Sequence, residues 1–144
     1  MVDDANGASS GTEVGLIGRE SMVGLSVLLS PQAASFHRAV VQLPGFAFRL
    51  PAQVLRDNLA ASPELHRLLF QALEGAMAQV AQTVACNSRH PLSQRLARWL
   101  LMAHDRVDGD ELAMTQEGLS VMLAVRRSGV TIAVQALRAA GVVG

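Results

Sequence analysis

The sequence predicts an α+β chain that is mostly α, and three observations carry that reading. A run of about 25 residues after Ser62 has helical apolar spacing, broken only by Gly75. The stretch Thr115 to Gly141, TQEGLSVMLAVRRSGVTIAVQALRAAG, has the layout of two short helices joined by a tight corner. The strand signals are short and confined to the N-terminal third, too few to close a sheet.

In chain order, residues 1 to 12 are rich in Asp, Asn, Gly and Ser and are expected to form a disordered tail. Glu13 to Ile17 is a candidate strand, and Arg19 to Leu29 a loop with a short helix. His37 to Leu43 carries the β-branched pair Val40-Val41, Pro44-Gly45 signals a turn, and Phe46 to Leu50 alternates; the two runs could pair as a hairpin. Pro51 to Ala61 is expected to be helical, with Val54, Leu55 and Leu59 as its apolar positions.

Ser62-Pro63-Glu64 is a clean helix start: a hydroxyl cap, proline where its missing N–H costs nothing, and an acid in the first turn. In the helix that follows, Leu65, Leu69, Ala72, Ala76, Val80 and Thr83 or Val84 line one stripe close to a heptad. A helix nearly 40 Å long beside so small a sheet lacks an evident intrachain partner along its length, which points to a parallel dimer through that stripe. Packing on its own domain is the competing reading.

His90-Pro91 ends the long helix. Leu92 to Ala103 is a strongly amphipathic helix whose core face is Leu96, Trp99, Leu100 and Ala103, with Trp99 as a core anchor. Thr115 then caps a helix with Leu119, Met122 and Leu123 on its apolar face; Ala124 and Val125 form the corner; Val130, Val134 and Leu137 form the next stripe. Arg126, Arg127, Ser128 and Thr131 are left on the opposite face. This is the arrangement of a helix-turn-helix, whose second helix enters the major groove by its N-terminus. Arginine suits that position because its planar fork can bond guanine O6 and N7 together. An ordinary pair of packed helices with a solvated Arg-Arg is the plainer alternative.

The chain of 144 residues is 50% hydrophobic and has twelve basic and twelve acidic residues, so any DNA affinity must come from a local patch. From Arg89 to Gly144, seven arginines stand against five acids, a net +2, balanced by −2 over residues 1 to 88. The single cysteine, Cys86, excludes an internal disulfide and a multi-cysteine metal or iron–sulfur site within one chain; it reads as a small buried apolar residue. His37, His66, His90 and His104 have no carboxylate or nucleophile at fixed spacing, so an enzyme is not expected and no cofactor is implied. No apolar run approaches the roughly 20 residues of a membrane span, and no signal-peptide core is present, which gives a cytoplasmic expectation.

The segments CNSRHPLSQRLARWLLMAHDRV and LAMTQEGLSVMLAVRRSGVTIAVQALRAAG resemble the hinge, first DNA-domain helix and helix-turn-helix of the Crp/Fnr family of bacterial transcription regulators. VGLIGRESMVGLSVLL and HRAVVQLPGFAFRLPAQVLR resemble the second half of that family's β-roll sensor, and Ser62 to Ser88 resembles its dimerisation helix. The resemblance implies residues 1–12 as a tail, 13–61 as a partial, cyclic-nucleotide-binding-like β-roll remnant, 62–88 as the dimerisation helix and 89–144 as the DNA-binding domain. It implies a homodimer acting on transcription at a two-fold site in double-stranded DNA.

Position by position, Arg127 falls on the family's base-reading arginine. The DNA-contacting set is then Arg126, Arg127, Ser128 and Thr131, with Thr115 and Gln116. The family's commonest pattern has glutamate where Ser128 stands and often arginine at Ile132, so a different operator is expected. Where cyclic-nucleotide binders carry Gly-Glu and Arg-Ser, this chain reads Gly24-Leu25 and Arg38-Ala39. Leu25 cannot accept from a ribose and Ala39 cannot donate to a phosphate, which argues against a cyclic nucleotide and leaves the small-molecule effector unknown. The family's first β-roll strands and its wing hairpin after Gly141 have no counterpart in the sequence, so the chain is expected to be a truncated form. An alternative function follows: a dimerisation module without DNA affinity, forming inactive heterodimers with full-length relatives.

Overall fold

The computed structural model describes residues 2–3, 12–29, 35 and 37–144. The order of elements is β1 (Val2–Asp3), β2 (Thr12–Glu13), α1 (Ser26–Leu29), α2 (Ala52–Ala61), α3 (Pro63–Arg89), α4 (Leu92–His104), α5 (Gln116–Leu123) and α6 (Arg127–Ala139). The mostly α class follows directly.

The helix boundaries have local causes. Ser62 Oγ accepts the Leu65 N–H at 3.2 Å and Pro63 opens α3, as the sequence indicates. Pro51 and Pro91 precede α2 and α4 in extended conformation. Gly141, at φ +68°, closes α6: its own N–H reaches Arg138 O at 2.9 Å, and Val142 N–H reaches Leu137 O at 3.0 Å.

The β component is smaller than the sequence suggests. β1 and β2 pair antiparallel with Val2 opposite Glu13 and Asp3 opposite Thr12. Part of the expected tail is therefore paired backbone; residues 4–11 lie outside the described residues, as do residues 30–34 of the expected connection. The strand expected over Glu13 to Ile17 stops at Glu13. The hairpin expected over residues 37–50 is not formed: apart from a bridge at Arg38, these residues carry no strand among those described. The physical reason is the one that limits any local strand signal. Alternation places Phe46, Phe48 and Leu50 on one side of an extended chain but supplies no second strand for its N–H and C=O groups. Val41, Phe46 and Phe48 are consequently exposed.

The core lies in the C-terminal third. Leu96 and Val130 are fully enclosed, surrounded by Trp99, Ala103, Leu119, Met122, Leu123, Ala133 and Leu137 from α4, α5 and α6. Of the apolar faces expected on α4, α5 and α6, only Leu100 and Val134 remain half-buried; on α2, Leu55 is buried, Leu59 half-buried and Val54 exposed. Leu16 enters the same cluster from the N-terminal segment. That segment is a strap: Leu16 N–H donates to Gln79 Oε1 on α3 at 2.7 Å, and Arg106 beyond α4 donates to Glu20 Oε1 at 2.6 Å. On α3, Thr83 and Cys86 are buried, in line with the reading of Cys86 as a small apolar residue.

Candidate nucleic-acid interface

Thr115 Oγ1 accepts the Gly118 N–H at 3.0 Å and starts α5. α5 ends at Ala124, whose φ of 52° and ψ of 48° are left-handed. Val125 N–H returns to Ser120 O at 3.0 Å and Ala124 N–H to Val121 O at 3.2 Å. These bonds reverse the chain in the two-residue corner that the sequence indicates. Arg126 is then extended and stands immediately before α6, where its carbonyl accepts the Gly129 N–H at 2.9 Å.

α6 is seated by Val130, Ala133 and Leu137, so Arg126, Arg127 and Ser128 are forced outward. All three are exposed, and among the described residues their side chains form no hydrogen bond or ion pair. The free N–H groups and positive dipole end of a 13-residue helix lie beside two guanidinium groups. That combination suits a polyanion, with planar forks available for base edges. A Cβ at Gly129 would come within 3.1 Å of Leu92 Cδ2, so the small residue lets the first turn of α6 approach the start of α4.

Thr131 and Gln116 are placed differently from the arginines. Thr131 Oγ1 donates to Gln116 Oε1 at 2.9 Å, with Arg127 O at 3.2 Å as a second acceptor. Both residues are half-buried, and their bond staples the first turn of α5 to α6. Sequence spacing put both on the candidate interface without revealing that they face each other.

Three contributions escape a reading of the sequence. Trp99 Nε1–H donates to Glu13 Oε2 at 2.6 Å in a buried contact, joining β2 to α4. Burial pushes the Glu13 carboxyl up, against the lowering influence of the Trp99 bond and the positive charges of Arg98 and Arg106. Glu20 shows the opposite balance: its partial burial is outweighed by bonds from its own backbone, Gly18 and Arg106, and its carboxyl is held low. Arg95 is the third, bonding Asn87 on α3 and the Leu123 carbonyl.

On α3, the stripe of Leu65, Leu69, Ala72, Ala76 and Val80 is half-buried within the chain. The large apolar side chains left in solvent lie to one side of it. Phe70, Met77 and Val84 are 55%, 66% and 64% exposed. Phe70, Leu73, Met77, Val80 and Val84 recur at alternating spacings of three and four, a signal present in the sequence. Phe70, Leu73, Met77, Ala78 and Ala81, with Glu74 among them, form an open, mostly apolar surface along this one helix.

Packed helices α4 to α6, with an exposed arginine pair heading the second helix of the corner, form a helix-turn-helix, the motif of a class of DNA-binding proteins. Residues 94–144 match the family model of the Crp-like helix-turn-helix domain. That match supports a Crp/Fnr-type transcriptional regulator, in agreement with the resemblance seen in the sequence. No curated protein and no solved structure matches the chain. No helix among the described residues is long and apolar enough to cross a membrane.

Proposed function

We propose that this regulator reads a two-fold site in double-stranded DNA as a homodimer, with Arg127 on a base edge and Arg126 and Ser128 on neighbouring bases or phosphates. The observation that carries the reading is the set of free side chains of Arg126, Arg127 and Ser128 at the amino end of a buried-face helix. Thr115, and the Gln116–Thr131 pair, then hold the two helices in position beside the duplex. With one subunit per half-site, the half-site centres should lie about 34–36 Å apart. The 13–61 segment, the long helix and the DNA-binding segment act as sensor segment, dimerisation element and reader in a cytoplasmic protein.

The dimer seam we propose runs along α3, through half-buried Leu73 and Val80 and the exposed side chains of Phe70, Met77 and Val84. Apolar surface of this size on a helix is covered most simply by the same surface of a second copy. The same observation favours a second reading, in which the chain is chiefly a dimerisation module that forms inactive heterodimers with longer relatives.

Selection from random duplexes with the wild type and Arg127→Ala tests the first reading. A base-reading Arg127 predicts a loss of roughly 1–3 kcal/mol at the preferred site and relaxed selectivity at one position per half-site. A phosphate-only role predicts uniform weakening and a salt slope smaller by about one. No selected site from the wild type, together with stable dimers, would favour the dimerisation module.

A further inference from the structure

We propose that Arg95 is a positioning residue that fixes the angle of the reading helix relative to α3. This rests on the DNA-reading function proposed above.

Arg95 sits in the first turn of α4, just past the His90-Pro91 hinge. Its Nε donates to Asn87 Oδ1, near the end of α3, at 2.9 Å. Its Nη2 donates to Leu123 O, the last residue of α5, at 2.5 Å. One guanidinium therefore joins the long helix, α4 and the corner of the helix-turn-helix. Among the described residues it makes the only direct side-chain hydrogen bond between α3 and the α4–α6 unit.

The Leu123 carbonyl is an acceptor at the negative end of a helix, where the turn at Ala124 has removed the next intrahelical donor. A cation aimed at it is favoured on both counts. Three residues later the chain reaches Arg126, so whatever holds the Leu123 carbonyl also holds the start of α6. Because α4, α5 and α6 share one core around Leu96 and Val130, they respond as a unit. The freedom that remains is the tilt of that unit on α3. In a dimer with α3 at the two-fold axis, this tilt sets the distance between the two reading helices, and so the half-site spacing. Lysine cannot replace Arg95, because the two bonds leave from different nitrogens of a rigid fork.

The test uses the full chain with Arg95→Gln, Arg95→Lys and Asn87→Ala, each first checked for folding by its thermal melt. In selections from duplexes with varied spacers, the wild type should prefer one half-site spacing. Each variant should keep the half-site bases, accept a wider range of spacings and bind the best full site about tenfold more weakly, the scale of one charge-assisted hydrogen bond. An unchanged sharp spacing preference in folded Arg95→Gln overturns the proposal.

A second readout needs no DNA. Spin labels are placed at exposed Gln71 on α3 and Gln135 on α6, as Gln71→Cys and Gln135→Cys with Cys86→Ala, and labelled chain is diluted into unlabelled. The intrachain distance distribution should broaden when Arg95→Gln is added. An unchanged distribution overturns the positioning role. If it broadens while the wild type selects no DNA site, the clamp stands and the DNA-reading function fails.

Discussion

Trp99 and Glu13 stand 86 residues apart in sequence, yet the indole N–H donates to the Glu13 carboxylate at 2.6 Å inside the protein. The bond fastens the N-terminal strap to the first helix of the DNA-binding unit, in the same place where Leu16 enters its core. Glu13→Ala would leave the buried indole N–H without an acceptor. The expected loss is about 1–3 kcal/mol of unfolding free energy, read by urea denaturation. An unaltered midpoint would show that the strap does not stabilise the unit.

The same pair sets a pH dependence. Burial raises the folded carboxyl above its ordinary 4.5. The stabilisation from the neutral form is therefore full below the ordinary value and is lost as pH rises through the raised folded value. Glu13→Gln keeps an acceptor for Trp99 but cannot ionise. It should flatten this part of the stability–pH profile and be at least as stable as the wild type above that window. A wild-type profile that instead gains stability across the same window would contradict it.

Thr131→Val removes the hydroxyl that bonds Gln116 while keeping nearly the same volume. The free protein should lose about 0.5–1.5 kcal/mol of stability, seen as a lower melting temperature. A residue serving only as a DNA contact would show no change without DNA.

For the proposed dimer, Met77→Glu should give monomers with little change in fold, since Met77 is exposed within one chain. Leu69→Glu and Ala76→Glu act on half-buried positions and should also lower stability. Sedimentation separates the two effects when run beside thermal melts. A wild type that remains monomeric at high micromolar concentration would rule out the seam.

Ala124 holds a left-handed conformation that costs an L-residue roughly 1–2 kcal/mol, in part offset by the greater freedom glycine has when unfolded. Ala124→Gly should therefore raise stability by up to about 1 kcal/mol. A decrease would mean that the Ala124 methyl contributes more than its strain costs.

How far the sequence can be read differs from element to element. The cap at Ser62, the stop at His90-Pro91, the cap at Thr115 and the faces of Leu96, Trp99, Leu119 and Val130 were all legible, because helix termini and apolar stripes are encoded within a few residues. The exposed arginines at 126 and 127 follow from the same periodicity. The residues 37–50 misled, because alternation specifies a strand only when another strand is present to pair with it. On α3, two apolar lines lie side by side, and periodicity could not tell which one the chain would cover for itself.

By itself, then, the sequence determined the helices, their inward faces and the outward placement of Arg126, Arg127 and Ser128 on a Crp-like helix-turn-helix, since each is local along the chain. Only the tertiary structure decided the long-range bonds: Glu13 with Trp99, Leu16 with Gln79, Arg95 with Asn87 and Leu123, and Gln116 with Thr131. A hydrogen bond between distant residues depends on how whole helices pack, and nothing in the spacing of either partner announces the other.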